Sequence, residues 1–281
     1  MRFHKLLITG AQGQLGLALQ DEFVDHEVVA WGSADLDVSQ LESVRKALKD
    51  IRPDIVINAA AFTQVDQAET NQEAAYRGNA LGPRNLARAT QETGIPLVHF
   101  STDYVFDGCH SRPYHEFDRT NPRSVYGQSK LAGEVEVQKN NPKNFIIRTA
   151  WLYHVVRKNF PRTILRLANQ DQVRVVNDQF GSPTYAPHLA KAVSQLIETD
   201  AYGTFHLAGS GGTNWYDFTQ ALYQASCIQT AVVPITSADY PLPAPRPAYS
   251  VLTSLQDPNL TLPPWEEGVR DFTNQLKKSQ S

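Results

Sequence analysis

A glycine run near the start limits the fold more than anything else in the chain. Gly10, Gly13 and Gly16 recur every third residue in the stretch Gly10-Ala11-Gln12-Gly13-Gln14-Leu15-Gly16. Before it, Lys5-Leu6-Leu7-Ile8-Thr9 reads as a short buried strand. After it, Leu17 to Phe23 carries its apolar residues on one helical face. Glycines between a strand and a helix permit a tight turn. They also let the backbone come close to a diphosphate at the helix N-terminus. The spacing is Gly-x-x-Gly-x-x-Gly, so it differs from the commoner Gly-x-Gly-x-x-Gly. Its place between strand and helix favours a dinucleotide site over a plain glycine-rich turn.

The rest of the first half repeats this rhythm. Glu27-Val28-Val29-Ala30-Trp31 reads as the second strand. An acidic residue at its end would grip an adenosine ribose, and an Arg would grip a 2′-phosphate. Trp31-Gly32-Ser33 offers neither, so the choice between NADH and NADPH stays open. Asp37, in Asp35-Leu36-Asp37-Val38, either touches the adenine region or caps the helix beginning near Ser39. A helix over 39–50 leads to the strand Asp54 to Ala61, which ends in small residues where a flat cofactor could lie. The loop Phe62 to Asp66 follows, then a helix over about 71–92 that carries Asn79.

Val98-His99-Phe100-Ser101-Thr102-Asp103 reads as a buried strand ending in hydroxyls and a carboxylate. Tyr126 then opens another helix, with Lys130 four positions on, so the two project from one face. An ammonium beside a phenol favours the phenolate and is expected to lower its pKa. Such a phenol can exchange a proton with a substrate oxygen. Tyr-x-x-x-Lys alone occurs by chance on many helices. Here the glycine loop, the alanine run and Ser101-Thr102-Asp103 all lie at carboxyl ends of parallel strands, where ligands bind in open α/β sheets. The alternation of strands and helices gives a doubly wound, mostly parallel sheet.

Past a strand at Asn144 to Trp151 the rhythm changes. Helices are expected over 160–169, 187–198 and from about Trp215, and strands over 173–176 and 203–208. Residues 234–264 are dense in proline and read as an ordered loop over the surface. The reading therefore divides the chain into 1–159, a dinucleotide-binding unit, and 160–281, a substrate-binding region. The strand near 203–208 is a candidate to return to the first unit.

A net charge of −3 without a basic block gives no electrostatic case for nucleic acid or an anionic membrane. The apolar run at the N-terminus is too short for a signal peptide or a span. Cys109 and Cys227 lie far apart with no metal-ligand pattern near them, which suits a reducing cytoplasm and no metal site.

Several motifs together carry a family resemblance over roughly residues 5–275. They are Thr-Gly-Ala-Gln-Gly-Gln-Leu-Gly at 9–16, Pro-Asp-Ile-Val-Ile-Asn-Ala-Ala-Ala at 53–61 and Ser-Thr-Asp-Tyr-Val-Phe-Asp-Gly at 101–108. Tyr-Gly-Gln-Ser-Lys-Leu-Ala-Gly-Glu at 126–134 follows, with Arg-Thr-Ala-Trp-Leu-Tyr at 148–153, Asp-Gln-Phe-Gly-Ser-Pro-Thr at 178–184 and Arg-Pro-Ala-Tyr-Ser at 246–250. The chain resembles the extended short-chain dehydrogenase/reductases, and within them the dTDP-4-dehydrorhamnose reductases. The resemblance implies a Rossmann-type sheet with a smaller C-terminal α/β substrate-binding domain. It also implies NADPH or NADH as cofactor, a nucleotide-sugar substrate and reduction of a C4 ketone.

By the same resemblance, Tyr126 is the proton donor, Lys130 lowers the pKa of Tyr126 and holds the nicotinamide ribose, and Thr102 hydrogen-bonds the carbonyl oxygen. Gly10, Gly13, Gln14, Leu15 and Gly16 form the diphosphate loop. Asp37 and Val38 meet the adenine, while Ala61, Phe62, Thr63 and Phe100 meet the middle and nicotinamide end. Asp103, Trp151 and Trp215 contact the sugar. A homodimer is compatible with this reading.

Two alternatives stand beside it: a nucleotide-binding regulatory subunit similar to that of methionine adenosyltransferase, and a nucleotide-sugar epimerase. Related 4,6-dehydratases carry Asp-Glu after this Thr, whereas Asp103-Tyr104 lacks the glutamate, which disfavours dehydration. The chain also departs from the family's pattern. His154 to Phe160 lacks the glycine usual before Asn-Phe, which implies a stiffer or differently shaped loop near the sugar. Gly78 replaces an apolar helix residue, a change expected to cost about 1 kcal/mol and a packing contact.

Overall fold

The computed structural model describes residues 3–278. β1 (Lys5–Thr9) passes through the glycine turn into α1 (Gln14–Glu22), β2 (Glu27–Trp31), α2 (Leu41–Ile51) and β3 (Ile55–Asn58). α3 (Val65–Thr70), α4 (Gln72–Tyr76), a π-helical turn (Arg77–Leu81) and α5 (Gly82–Thr93) lead to β4 (Leu97–Thr102), α6 (Val125–Asn140) and β5 (Asn144–Thr149). Beyond β5 the elements shorten. They are β6 (Leu152–Tyr153), α7 (Phe160–Leu167), β7 (Gln172–Val176), β8 (Phe180–Gly181), β9 (Thr184–Tyr185), α8 (Ala186–Ile197), β10 (Gly203–His206), β11 (Thr213–Asn214), α9 (Trp215–Ala225), β12 (Ala231–Ile235) and α10 (Trp265–Lys278).

Among the described residues, a six-stranded sheet runs in the order β2-β1-β3-β4-β5-β10, with every pairing parallel. The fold is a Rossmann-type doubly wound α/β fold. Successive strand residues face opposite helical layers, which explains the unbroken apolar runs. Leu6, Ile8, Ile57, Val98 and Ile147 pack with Leu19, Leu189 and Val193 from α1 and α8. Leu7, Val56, Leu97 and Ile146 pack on the other side with Val44, Leu48, Leu86 and Val137. The strand order reverses between β1 and β3, and this switch point opens the crevice that ligands use in such sheets.

A third cluster holds the smaller C-terminal layer together. It joins Tyr153, Ile164, Val173, Val175, Phe218, Leu222 and Phe272. β7 and β12 pair in parallel beneath it. The chain crosses between the two bodies more than once. α8 and β10 pack with the first sheet although both follow position 160.

Three local expectations need correction. The strand expected to run past Thr102 stops there, and Asp103–Val105 forms a 3-10 turn. The single helix over 71–92 is broken into α4, the π-helical turn and α5. Gly78 lies in that π-helical turn, and a Cβ there would come 3.3 Å from the Cβ of Phe62. The glycine thus lets the turn approach the Phe62 loop closely, and π-helical turns of this kind recur at functional sites. The segment 234–264 begins inside β12, and α10 follows it. Among the described residues, no helix is long and apolar enough to cross a membrane.

Candidate active site

The crevice is a cleft of about 1020 Å³ above the carboxyl ends of β1, β3, β4 and β5. Part of its lining is built by the glycine turn. Gly10 has φ 68°, and a Cβ on it would lie 2.4 Å from the Ala60 nitrogen. Gly16 is buried behind the loop, where a Cβ would lie 2.4 Å from the Gly10 carbonyl oxygen. The first glycine therefore makes the turn, and the third brings α1 against β1. Gly13 caps α1 without any side-chain hydrogen bond, so the first N–H groups of the helix have no capping side chain. That cradle fits the diphosphate of a dinucleotide.

Asp37, between β2 and α2, is among the cleft-lining residues. Its Oδ1 accepts from the Ser39 nitrogen at 2.9 Å and from Ser39 Oγ at 2.6 Å. Its Oδ2 accepts from Arg77 at 3.0 Å. Hydrogen bonds from Ser39, aided by Arg77, hold this carboxyl below its usual range against the desolvation that opposes them. Asp37 thus organises the turn before α2 and borders the cleft as well.

Phe62 turns its ring into a cluster with Ala68, Ala75, Val125 and Tyr126. Its backbone is held by Asn79, which accepts from the Phe62 nitrogen at 2.8 Å and donates to its carbonyl at 3.0 Å. Asn79 Nδ2 also donates to Ser129 Oγ at 3.0 Å, and Ser129 Oγ donates to the Tyr126 carbonyl at 2.8 Å. One buried side chain in the π-helical turn thereby ties the β3 loop to α6.

Thr102 closes β4. It donates to Asp103 Oδ1 at 2.9 Å, and its oxygen accepts from the Tyr104 nitrogen at 3.2 Å. Ser250, delivered by the proline-rich segment, donates to Asp103 Oδ2 at 2.6 Å. Burial pushes the Asp103 carboxyl up to about 6, although these hydrogen bonds pull it the other way. Tyr126 sits one residue inside α6, behind its Ser124 cap. The Tyr104 ring meets Tyr126 edge-on at 5.5 Å. Lys130 is buried and donates from Nζ to the Phe100 carbonyl at 2.5 Å.

The electrostatics of this pair overturn one expectation. Burial pushes the Tyr126 phenol up to about 12, while the Thr102 hydroxyl draws it down and Asp103 pushes it further up. Burial lowers Lys130 to about 8, with Glu134 holding it up. The ammonium is turned to a carbonyl, and desolvation outweighs any depression of the phenol. A neutral phenol is nevertheless the form that a proton donor requires at neutral pH. Glu134 is itself buried. Arg148 Nη2 reaches its Oε2 at 2.6 Å, and Ser101 Oγ donates to its Oε1.

At the far end, Trp151 and Trp215 stack face to face, with centroids 3.4 Å apart and planes 4° apart. Trp151 takes φ 47° and lies over Gly181, where a Cβ would come 2.4 Å from the ring. The two rings cover one another on one face each, so a sugar would meet an edge or an outer face.

Every residue singled out from the sequence lines the cleft except Gly16, behind the loop, and Phe62, whose ring packs with Tyr126. Sequence reasoning missed Tyr104, Thr149 and Arg157, which line it too. Tyr104 was legible as the neighbour of Asp103. Thr149 was legible as the end of β5, in register with Thr102. It also missed Asn79 as the clamp on Phe62, because a contact 17 residues away across a π-helical turn has no periodic signature.

The chain matches the family model described as "RmlD substrate binding domain" over residues 4–278. The chain belongs to this family. It is 40% identical over 273 residues to a Bacillus subtilis protein named spore coat polysaccharide biosynthesis protein SpsK, covering 95% of this chain and 96% of that one. It is 40% identical over 282 residues to a Sinorhizobium fredii dTDP-4-dehydrorhamnose reductase, covering 95% of each. A crystal structure of dTDP-4-dehydrorhamnose reductase from Bacillus anthracis in complex with NADP is similar at a TM-score of 0.94, with 38% identity, covering 97% of this chain and 99% of that one.

Proposed function

We propose that this chain reduces the C4 ketone of dTDP-4-dehydro-L-rhamnose to dTDP-L-rhamnose, with NADPH or NADH as the reductant. The observation that carries the reading is the convergence of Thr102, Tyr126 and Lys130 on the wall of a cleft whose other end is the glycine cradle. The names of the relatives supply the substrate.

When bound, the nicotinamide supplies a hydride to the ketone carbon. Tyr126 gives its phenolic proton to the carbonyl oxygen as that oxygen becomes an alcohol. The phenol is neutral beforehand, as its raised pKa requires. Thr102 has to turn its proton from Asp103 to the same oxygen, where it would steady the developing charge. Lys130, its Nζ on the Phe100 carbonyl at the cleft wall, would hold the nicotinamide ribose. Gly10, Gly13, Gln14 and Leu15 hold the diphosphate, with Gly16 packing the helix behind them. Asp37 and Val38 border the adenine. Ala61, Phe62, Thr63 and Phe100 shape the middle of the site, and Asp103, Trp151 and Trp215 meet the sugar.

The test is to supply enzymatically made dTDP-4-dehydro-L-rhamnose with NADPH or NADH and follow loss of reduced-nicotinamide absorbance. Turnover with dTDP-L-rhamnose as product supports the reading. No turnover with either cofactor, in protein shown to be folded, removes it.

A further inference from the structure

We propose that Arg157 is a clamp for the diphosphate of the dinucleotide, set by a loop that grips the glycine turn from the side. The proposal rests on the reading of the cleft as a reduced-nicotinamide site. It concerns the segment 154–159, where the chain departs from its family's glycine-containing pattern.

Two hydrogen bonds dock this segment on the glycine turn. Arg157 Nε donates to the Gln12 carbonyl at 2.9 Å, and Asn159 Nδ2 donates to Gln14 Oε1 at 2.7 Å. Asn159 also donates to the His154 carbonyl at 2.6 Å, while its Oδ1 accepts from the Arg162 nitrogen at 3.0 Å and caps α7. The loop is therefore fastened at its base and at its rim.

Arg157 occupies the left-handed region, at φ 66°. Glycine would adopt that conformation without steric cost, and an arginine does not. An unfavourable backbone conformation kept at a cleft is a reason to look for what the side chain does there. Its surroundings supply the answer. Of the residues lining the cleft, Arg157 and Lys130 are the ones that carry positive charge. Lys130 is buried at the far wall with its Nζ on the Phe100 carbonyl. Asp37, one of the two acids in the lining, is already answered by Arg77. The other is Asp103, buried beside Thr102. The loop N–H groups therefore face the charge of a diphosphate with no other cation at hand. Nε of Arg157 is committed to Gln12. Nη1 and Nη2 have no protein partner among the described residues, so the two-pronged face of the guanidinium remains for phosphate oxygens.

The experiment measures binding, without turnover. NADH, NADPH and dTDP are each titrated into the wild-type protein, Arg157→Ala and Arg157→Gly, by calorimetry at two ionic strengths. Thermal unfolding of each protein is recorded alongside. Both variants should weaken NADH and NADPH alike, by roughly tenfold or more, the scale of one charge-assisted hydrogen bond. They should also flatten the salt dependence and leave dTDP unaffected. Arg157→Gly should lose this affinity while unfolding at the wild-type temperature or above it, because the glycine relaxes the backbone.

Unchanged dinucleotide affinity in either folded variant overturns the clamp. So does a loss confined to NADPH, which would place the guanidinium on the 2′-phosphate, or a loss confined to dTDP, which would place it on the substrate. A wild-type protein that binds neither NADH nor NADPH instead removes the reading on which the clamp rests.

Discussion

Replacing Lys130 with methionine should make this protein more stable while removing its activity. The ammonium is buried, and desolvation lowers its pKa from 10.5 to about 8 in spite of Glu134. Each tenfold change in a protonation equilibrium corresponds to about 1.4 kcal/mol between the two forms. Carrying the charge into the folded state at pH 7 therefore costs about 3 kcal/mol. Methionine has a similar volume and no charge. Its cost is the hydrogen bond to the Phe100 carbonyl, about 1 kcal/mol. Glu134 keeps its partner Arg148 in the variant. The balance is a gain of about 2 kcal/mol. With an unfolding entropy of roughly 2 cal/mol/K per residue, that gain raises Tm by about 3–4 °C.

The pH dependence gives an independent check. In the window between about 8 and 10.5, the unfolded chain holds the Lys130 proton and the folded chain has released it. The unfolded state then binds more protons, so this group's contribution to stability rises with pH. The advantage of the variant should be full below pH 8 and shrink toward pH 10. Differential scanning calorimetry at pH 7 and pH 9.5 measures both quantities. A variant that unfolds several degrees below the wild type at pH 7, or an offset that does not shrink with pH, would overturn this balance.

Three further outcomes follow from the same geometry. Tyr126→Phe should lower turnover by roughly 10²–10⁴-fold, the scale of a lost general acid, while calorimetry shows NADPH affinity intact; turnover near wild type refutes the role of Tyr126. Asn79→Ala strips the buried clamp on the Phe62 backbone and should cost about 2–4 kcal/mol, read from urea unfolding, with weakened cofactor affinity. Arg148→Met leaves the buried carboxylate of Glu134 without its ion pair and should cost about 3–5 kcal/mol. If unfolding midpoints hardly move, the network is not structurally important.

The cradle and the Thr102, Tyr126 and Lys130 wall were legible because local rules place them. A glycine turn between strand and helix, the ends of apolar strands and a four-residue helical spacing all show in short windows of sequence. What was not legible depends on distant pairing. Asp66, in the first turn of α3, takes both arms of Arg246 from the proline-rich segment at 2.8 Å each. Ser250 reaches Asp103 across 147 positions. β12 shows no alternation to separate it from the loop that follows, and it exists because β7 offers it a partner. The direction in which the Tyr126 pKa moves escapes the sequence for a related reason. A four-residue spacing says that two side chains share a helical face, but not that the ammonium is buried and turns to the Phe100 carbonyl, or that desolvation at the cleft wall governs the phenol.

Whether this chain is a C4 reductase is decided by the fate of a labelled hydride. The protein would be given dTDP-4-dehydro-L-rhamnose and cofactor carrying deuterium at the transferring position of the nicotinamide, and the sugar product would be examined by NMR. One deuterium on C4 of dTDP-L-rhamnose for each cofactor oxidised is the result predicted. A product without deuterium at C4, or an epimerised sugar formed with no net cofactor consumed, would contradict it.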